Sequence, residues 1–255
     1  MEAKAFSYSL TVSMPDPLLG SQILELGEAI RTDAARLGIA NYRNKASAIH
    51  LKWLSLSFLR AEIDALDEAY AHRSAIKEVD FALIVSKIEA YLTQARSILD
   101  ILAWGLTLSF TSGSGRESIN DLRKRDDLPE VFKTYFDEAL TFDPTYGLAE
   151  NGWLTLLVSI DKGPRFSLRD FVVHKGTLRL ITIQHAHPGP RFGFFPLKDH
   201  TSDSPVGEVL QNIYDGIDEF FALVIAYLWD LNGGKPDDHV TDSAEESDRE
   251  GMSLG

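Results

Sequence analysis

The feature that most constrains the fold is a run of apolar residues that recurs every three or four positions between residues 84 and 102. The stripe consists of Ile84, Ile88, Leu92, Ala95, Leu99 and Leu102, and Ile98 and Ile101 widen it. This period places side chains on one face of an α-helix. We therefore predict a long helix here, which ends at the Gly/Ser-rich loop of residues 111–115.

Four more segments show helical signals. One predicted helix buries a stripe of Leu51, Leu54, Phe58, Ala61, Ala65 and Ala69, and another, between residues 207 and 231, buries Leu210, Ile213, Ile217, Phe220, Phe221, Val224 and Leu228. Helices near residues 17–37 and 129–141 complete the set. These elements predict a mainly α protein, an up-and-down helical bundle. Its predicted core includes Phe58, Ile88, Leu92, Leu99, Leu102, Ile217 and Phe221.

One segment departs from the helical period. "TLRLITIQ" alternates polar with apolar residues and is rich in β-branched side chains, and "RFGFFPL" follows a "HPGP" turn. This pattern predicts a β-hairpin at about residues 177–196, inserted in the bundle. The expected organisation is an N-terminal segment and helix at 1–43 that packs on the bundle, the bundle at 44–232, and a tail at 233–255.

The charge balance limits the partners. The chain carries 25 Lys plus Arg against 38 Asp plus Glu, a net charge of -13. From Lys235 on, seven residues are acidic and two are basic, with little apolar content, which predicts a disordered acidic tail. Without the tail the charge is about -8, so a nucleic acid could bind only at a local basic site.

Cysteine is absent, which excludes a disulfide framework and thiolate chemistry and fits a reducing cytosol. The first twenty residues lack a signal pattern, and no run reaches the ~18 apolar residues of a membrane span. We therefore expect a cytoplasmic protein without a membrane partner.

The segment "SLRDFVVHKG", residues 167–176, contains the candidate site. Ser167 and Asp170 have capping-box spacing and Lys175-Gly176 supplies a stop, which predicts a short helix at 168–175. Arg169 and His174 lie about 140° apart around its axis and about 7.5 Å apart along it. Asp170 shares a face with His174, so it either orients the imidazole or caps the start of the helix.

The "RDFVVH" motif resembles the signature of the HEPN superfamily, in which Arg is followed by a polar residue and, after four to six positions, by His. The segment "YLTQARSILDILAWGL", residues 91–106, is similar to the central helix of that family, and the resemblance would cover residues 44–232. It implies a bacterial-type, metal-independent endoribonuclease of the toxin or phage-defence kind, or a non-catalytic relative. RNA or nucleotide, a second copy of the chain and an antitoxin protein are the implied partners.

The implied chemistry suits these residue types. A histidine with a pKa near 6.5 can take the proton of the 2′-hydroxyl or protonate the leaving 5′-oxygen. The Arg169 guanidinium would hold the phosphate oxygens. RNA would be selected because only RNA has the attacking hydroxyl. Neither a metal nor a cofactor is expected.

Other interpretations remain open. Arg169, Asp170 and His174 also fit a solvated helix end in a non-catalytic nucleotide-binding or protein-interaction module. Arg96 and Asp100, four residues apart on the long helix, either support the site or form a structural salt bridge.

Two further polar segments carry weaker signals. The basic run at 123–127 is neutralised by its own aspartates, which indicates a solvated turn. His185 and His187 alternate on a predicted strand but lack a third metal ligand at suitable spacing.

Overall fold

The structure is a computed structural model that describes Glu25 and residues 28–30, 42–71, 78–110, 118–159, 167–175, 180–183, 191–194, 204–231 and 233. The described part is mainly helical, with one small antiparallel sheet. The helices are α1 Tyr42–Ala71, α2 Glu78–Phe110, α3 Ile119–Leu122, α4 Glu130–Ala139, α5 Leu168–Lys175 and α6 Val206–Leu231, with a 3-10 turn at Trp153–Leu156. The strands are β1 Leu180–Ile183, β2 Arg191–Phe194 and β3 Ser204–Pro205.

The predicted fold class is confirmed. The long helix, the helix near 129–141, the helix at 207–231 and the short helix at 168–175 are all present, and β1 and β2 form the expected hairpin. The structure adds β3, which pairs with β2 through Gly193 and Phe194. Of the helix expected near 17–37, only Glu25 and residues 28–30 are described, and all are helical. The acidic tail lies outside the described residues from 234 on.

Most of the predicted core is also confirmed. The α2 and α6 stripes lie in one hydrophobic cluster that includes Leu92, Leu99, Ile217 and Phe221. The N-terminal segment contributes Ile30, whose side chain lies 3.3 Å from the place that a β-carbon on Gly105 would take. No helix in the described part of the chain has both the length and the hydropathy to cross a bilayer.

The helix predicted around residues 51–69 is present as α1, but its predicted buried face was wrong, because this helix carries two apolar stripes. Leu51, Leu54 and Phe58 are exposed, Phe58 at 46% of its surface. The buried stripe is instead formed by Ile49, Trp53, Leu56 and Ile63. Trp53 packs against α6, with its ring centroid 4.7 Å from that of Phe221. Because an indole buries more apolar surface than a leucine, contacts of Trp53 with α6 favour this face.

Two tyrosine hydroxyls bind the backbone of α6. Tyr91 Oη donates to the Leu210 carbonyl at 3.0 Å, and Tyr135 Oη donates to the Gly216 carbonyl at 2.7 Å. Burial raises the pKa of both phenols. The hydroxyls therefore remain protonated donors under ordinary conditions.

The sheet is attached to the end of α1 by a buried carboxylate. Asp67 Oδ1 accepts the backbone N–H of Phe192 at 2.8 Å, and the Phe192 ring stacks on Tyr70 with centroids 4.4 Å apart. Arg191 lies 3.7 Å from the same carboxyl group. Burial raises the pKa of Asp67, although the Phe192 amide and Arg191 partly offset it.

Candidate functional site

Helix α5 packs against α2 and begins with a side-chain cap. Ser167, which is buried, accepts the backbone N–H of Asp170 on its Oγ at 3.0 Å. This bond satisfies one of the unpaired amides at the helix start. Leu168 anchors the first turn in the core. The cap and the buried Leu168 together fix the position from which the side chains of Arg169 and Asp170 project.

Asp170 is held by contacts on both of its oxygens. Oδ2 accepts the hydroxyl of Ser159 at 2.7 Å, and Oδ1 accepts Nη1 of Arg169 at 2.9 Å. Burial opposes ionisation, but the hydrogen bonds from Ser159, Arg169 and Ser167 outweigh it and hold the pKa of Asp170 below its usual value. The described contacts thus tie this carboxylate to Ser159, Arg169 and Ser167.

Arg169 is only partly engaged by its neighbour. Its side chain keeps 29% of its surface exposed, and Nη1 is the nitrogen that binds Asp170. The Nε atom is buried and meets no acceptor in the described part of the chain. A guanidinium has five N–H donors. Among the described contacts, the pairing of Nη1 with Asp170 is thus what fixes the position of the Arg169 guanidinium.

Arg96 and Asp100, both on α2, lie near Leu157, two residues before Ser159. Arg96 Nε binds Asp100 at 3.1 Å, and its Nη1 donates to the Leu157 carbonyl at 3.4 Å. Asp100 also accepts the backbone N–H of Ile119, the first residue of α3, at 3.1 Å. Arg96 is buried. These contacts are those of a structural pair that joins α2, α3 and the segment after the 3-10 turn.

A third arginine, Arg123, also contacts the segment that contains Leu157 and Ser159, and this contact was not predicted from the sequence. Arg123 Nη2 donates to the Ser159 carbonyl at 3.2 Å. The run at 123–127 is therefore not a purely solvated turn, although Arg125 does pair with Asp127 at 2.7 Å. The contact spans 36 residues, so local spacing contains no signal for it. Ser159 was missed for the same reason.

The segment Leu157–Ser159 thus joins the predicted residues. Arg96 and Arg123 bind its carbonyls, and the Ser159 hydroxyl binds Asp170. Two arginines, one from α2 and one from the end of α3, bind this segment of three residues directly, and Arg169 of α5 is linked to it through Asp170. Asp100 and Asp170 pair with the guanidinium groups of Arg96 and Arg169, so much of the positive charge at this place is neutralised.

His174 lies in the last turn of α5, next to Lys175. Its backbone is helical, five residues after Arg169, and its side chain is outside the described part. His185 and His187 also fall outside it. Among the residues that are described, no group of three His, Asp or Glu side chains could hold a metal ion.

Comparison of the chain with family models, with curated proteins and with solved structures gives no match.

Proposed function

We propose that the protein is a metal-independent endoribonuclease in which Arg169 clamps the phosphate and His174 acts as general acid or base. The observation that supports the proposal most directly is the exposure and the contacts of the Arg169 side chain. Its side chain is partly exposed, its Nε meets no acceptor among the described residues, and Asp170 holds it on the helix that also bears His174. The resemblance of "RDFVVH" to the HEPN signature supports the same assignment.

The reaction is an internal transfer at phosphorus. The 2′-hydroxyl of a nucleotide attacks its own 3′-phosphate, the bond from phosphorus to the 5′-oxygen of the next nucleotide breaks, and a 2′,3′-cyclic phosphate forms. His174 takes the 2′ proton or gives a proton to the leaving oxygen. Arg169 stabilises the charge that develops on the non-bridging oxygens. Water makes the complementary proton transfer, so every atom is supplied by the RNA, the histidine and the solvent.

Asp170 has a positioning role in this proposal. It is tied to Ser159 and Arg169 by bonds of 2.7 and 2.9 Å, so it orients the guanidinium. A bound phosphate would take up the remaining N–H groups of Arg169. Arg96 and Asp100 would support the site by fixing the segment that carries Ser159. RNA would be the partner, with a second copy of the chain and an antitoxin protein as further partners.

A non-catalytic nucleotide-binding or protein-interaction module is the second candidate. The Arg169–Asp170 pair favours it, because a neutralised arginine attracts phosphate more weakly than a free one. The two candidates differ in whether RNA is cut.

The test incubates the purified full chain with mixed RNAs in EDTA. We expect cleavage products that end in 2′,3′-cyclic phosphate and 5′-hydroxyl. His174→Ala should lower the rate by at least ~10²-fold, the usual contribution of a positioned acid or base. Arg169→Lys should also impair cleavage, because a point charge does not reproduce the planar fork.

Matched controls separate the site from general effects. Arg125→Lys makes the same exchange in another Arg–Asp pair, with Asp127, and should leave the rate unchanged. His50→Ala removes a histidine from α1 and should also have no effect. Wild-type protein that binds RNA but cuts none would favour the module, and cleavage that persists in His174→Ala would place the site elsewhere.

A further inference from the structure

We propose that a cavity between the end of α4, the segment of residues 141–152 and α6 binds an aliphatic polyamine, a flexible chain with several separated ammonium groups. The cavity has a volume of about 300 Å³, which is within the range of sites for small ligands. Its lining includes no residue of α5. The inference therefore stands on this cavity and not on Arg169 or His174.

Hydrogen bonds fix the walls of the cavity. Asn212 of α6 donates to the carbonyl groups of Ala149 and Asn151, both at 3.0 Å. At the end of α4, the backbone N–H of Gly152 donates to the Thr141 carbonyl at 2.8 Å. These bonds attach the segment 141–152 to both helices. Because the cavity is formed before a ligand arrives, binding loses little free energy to ordering of the protein.

The charge of the lining is entirely negative. Three carboxylates line the cavity, those of Glu138 on α4, Glu150 and Glu219 on α6, and none of the lining residues is basic. Glu150 uses one oxygen to accept the Gly147 N–H at 2.9 Å. The described residues provide no ion-pair partner for Glu138 or Glu219. Three carboxylates in one concave site without a counter-ion attract a cationic ligand.

The end of α4 is a second source of negative potential. The last turn of a helix leaves carbonyl groups without intrahelical partners, and a Lys or Arg nearby commonly balances them. The last turn of α4 has no basic residue, and Glu138 and Ala139 of this turn line the cavity. Tyr135 responds to the same charges, since burial raises its pKa and Glu219 adds to the effect. Both observations favour a cation at this place.

Aromatic rings provide the other half of the recognition. Tyr135, Tyr146 and Trp153 line the same cavity as the three carboxylates. Tyr146 exposes 49% of its surface, whereas Trp153 exposes only 6%. The face of an aromatic ring attracts an ammonium group and also packs against methylene groups. Tyr146 thus has the most ring surface for a ligand to cover.

The placement of the carboxylates favours a chain over a single metal ion. Among the described residues, no three carboxylate or imidazole groups lie close enough together to hold a metal ion. The glutamates of the cavity therefore do not converge on one point. A polyamine carries its charges several bonds apart, and amines of this kind stay protonated at neutral pH, as lysine does. Its methylene groups suit the aromatic walls, which a hydrated metal ion would not use.

The closing experiment titrates the full chain with spermidine in the absence of RNA and measures affinity and stoichiometry by calorimetry. We expect one spermidine to bind per chain. An uncharged chain of similar length, such as a short ethylene glycol oligomer, should not bind. Mg²⁺ at the same concentration should not displace spermidine, whereas diffuse attraction to a chain with a net charge of -13 would respond to any multivalent cation.

Charge variants locate the site on α6. Glu219→Gln should raise the dissociation constant for spermidine at least ~5-fold, because it removes one of the ion pairs. Glu208→Gln is the matched control, since Glu208 is also an exposed glutamate of α6 but lies outside the lining. It makes the same change in net charge and should leave the dissociation constant unchanged.

Ring variants test the aromatic wall. Tyr146→Ala should weaken binding of spermidine by about 3-fold or more, because it removes the exposed ring. Tyr146→Phe keeps the ring face and should bind as the wild-type protein does. A polyamine held by charge alone would bind equally to both variants, which would contradict the recognition described here.

Three results would overturn the proposal. They are a dissociation constant for spermidine above about 1 mM, equal losses in Glu219→Gln and Glu208→Gln, and displacement of spermidine by an equal concentration of Mg²⁺. None of them bears on the ribonuclease proposal, which is read from RNA products and from variants of Arg169 and His174. Loss of RNA cleavage in those variants would likewise leave the binding of spermidine unchanged.

Discussion

The indole ring of Trp153 occupies the space that a β-carbon on Gly216 would need. Such a carbon would lie 2.3 Å from the Trp153 ring, far inside van der Waals contact. The glycine thus lets the 3-10 turn pack directly on the backbone of α6. Tyr135 binds the carbonyl of the same glycine at 2.7 Å, so α4, the turn and α6 meet at one residue.

Gly216→Ala should therefore destabilise the protein by about 1–3 kcal/mol, the usual cost of overpacking. In an ordinary helix interior the same change would be stabilising by up to ~1 kcal/mol. Denaturant unfolding measures the difference. Gly207→Ala is the control in the same helix, since its nearest atoms lie 3.9 Å away, and it should be neutral or slightly stabilising. Equal effects at the two glycines would contradict the packing described here.

Leu99→Ala should cost about 2–5 kcal/mol, because Leu99 is fully buried in the central stripe of α2. Val131→Ala, at an exposed position of α4, should change the free energy of unfolding by no more than ~0.5 kcal/mol. Chemical denaturation with an unchanged slope tests both. A small loss of unfolding free energy in Leu99→Ala would mean that the packing of α2 contributes little to the stability of the core.

Asp67→Asn should stabilise the protein at neutral pH. Burial raises the pKa of Asp67 in the folded state. The stabilisation that protonation supplies is fully present below the unfolded pKa and is lost as the pH rises through the folded pKa. Asparagine keeps an oxygen acceptor for Phe192 without the charge. Its advantage in melting temperature should thus be largest at pH 7 and should shrink toward pH 3.

Asp67→Ala separates the hydrogen bond from the charge. Relative to Asp67→Asn, it leaves the buried Phe192 N–H without its acceptor, which should cost about 1–3 kcal/mol at every pH. An alanine variant as stable as the asparagine variant would show that the 2.8 Å bond contributes nothing.

Ser159→Ala should lower any RNA cleavage without removing a group that touches RNA. The hydroxyl of Ser159 holds Asp170 at 2.7 Å, and Asp170 holds Arg169. Loss of the hydroxyl should weaken substrate binding, and so raise KM more than it lowers kcat. Ser159→Thr keeps the hydroxyl and should restore part of the activity. An unchanged KM in Ser159→Ala would remove Asp170 from its positioning role.

The sequence was sufficient to predict the buried face of those helices whose apolar residues all lie on one side. In α2 and α6 the apolar residues fit only one helical face, and that face is buried in the structure. In α1 the period fits two faces, Leu51 to Phe58 and Ile49 to Ile63, and spacing alone cannot choose between them. The choice depends on the contact of Trp53 with Phe221, 168 residues away in the chain.

For the candidate site, the local part was predictable and the assembly was not. The bounds of α5 and the cap between Ser167 and Asp170 follow from neighbouring residues. The approach of Arg123 to Ser159 depends on how α3 packs, and α3 begins where Asp100 accepts the Ile119 amide. No residue pattern within a few positions encodes such a contact.

The two tyrosine hydroxyls that bind α6 limit how this protein can move. Their acceptors, Leu210 and Gly216, lie six residues apart, about 9 Å along the helix and about 120° around it. Tyr91 comes from α2 and Tyr135 from α4, so the two bonds approach from different sides. Sliding α6 along its axis, or turning it, would break both bonds and leave the buried phenol of Tyr91 and the partly buried phenol of Tyr135 without acceptors. Both bonds should therefore oppose any slow motion that slides or rotates α6 against α2 and α4.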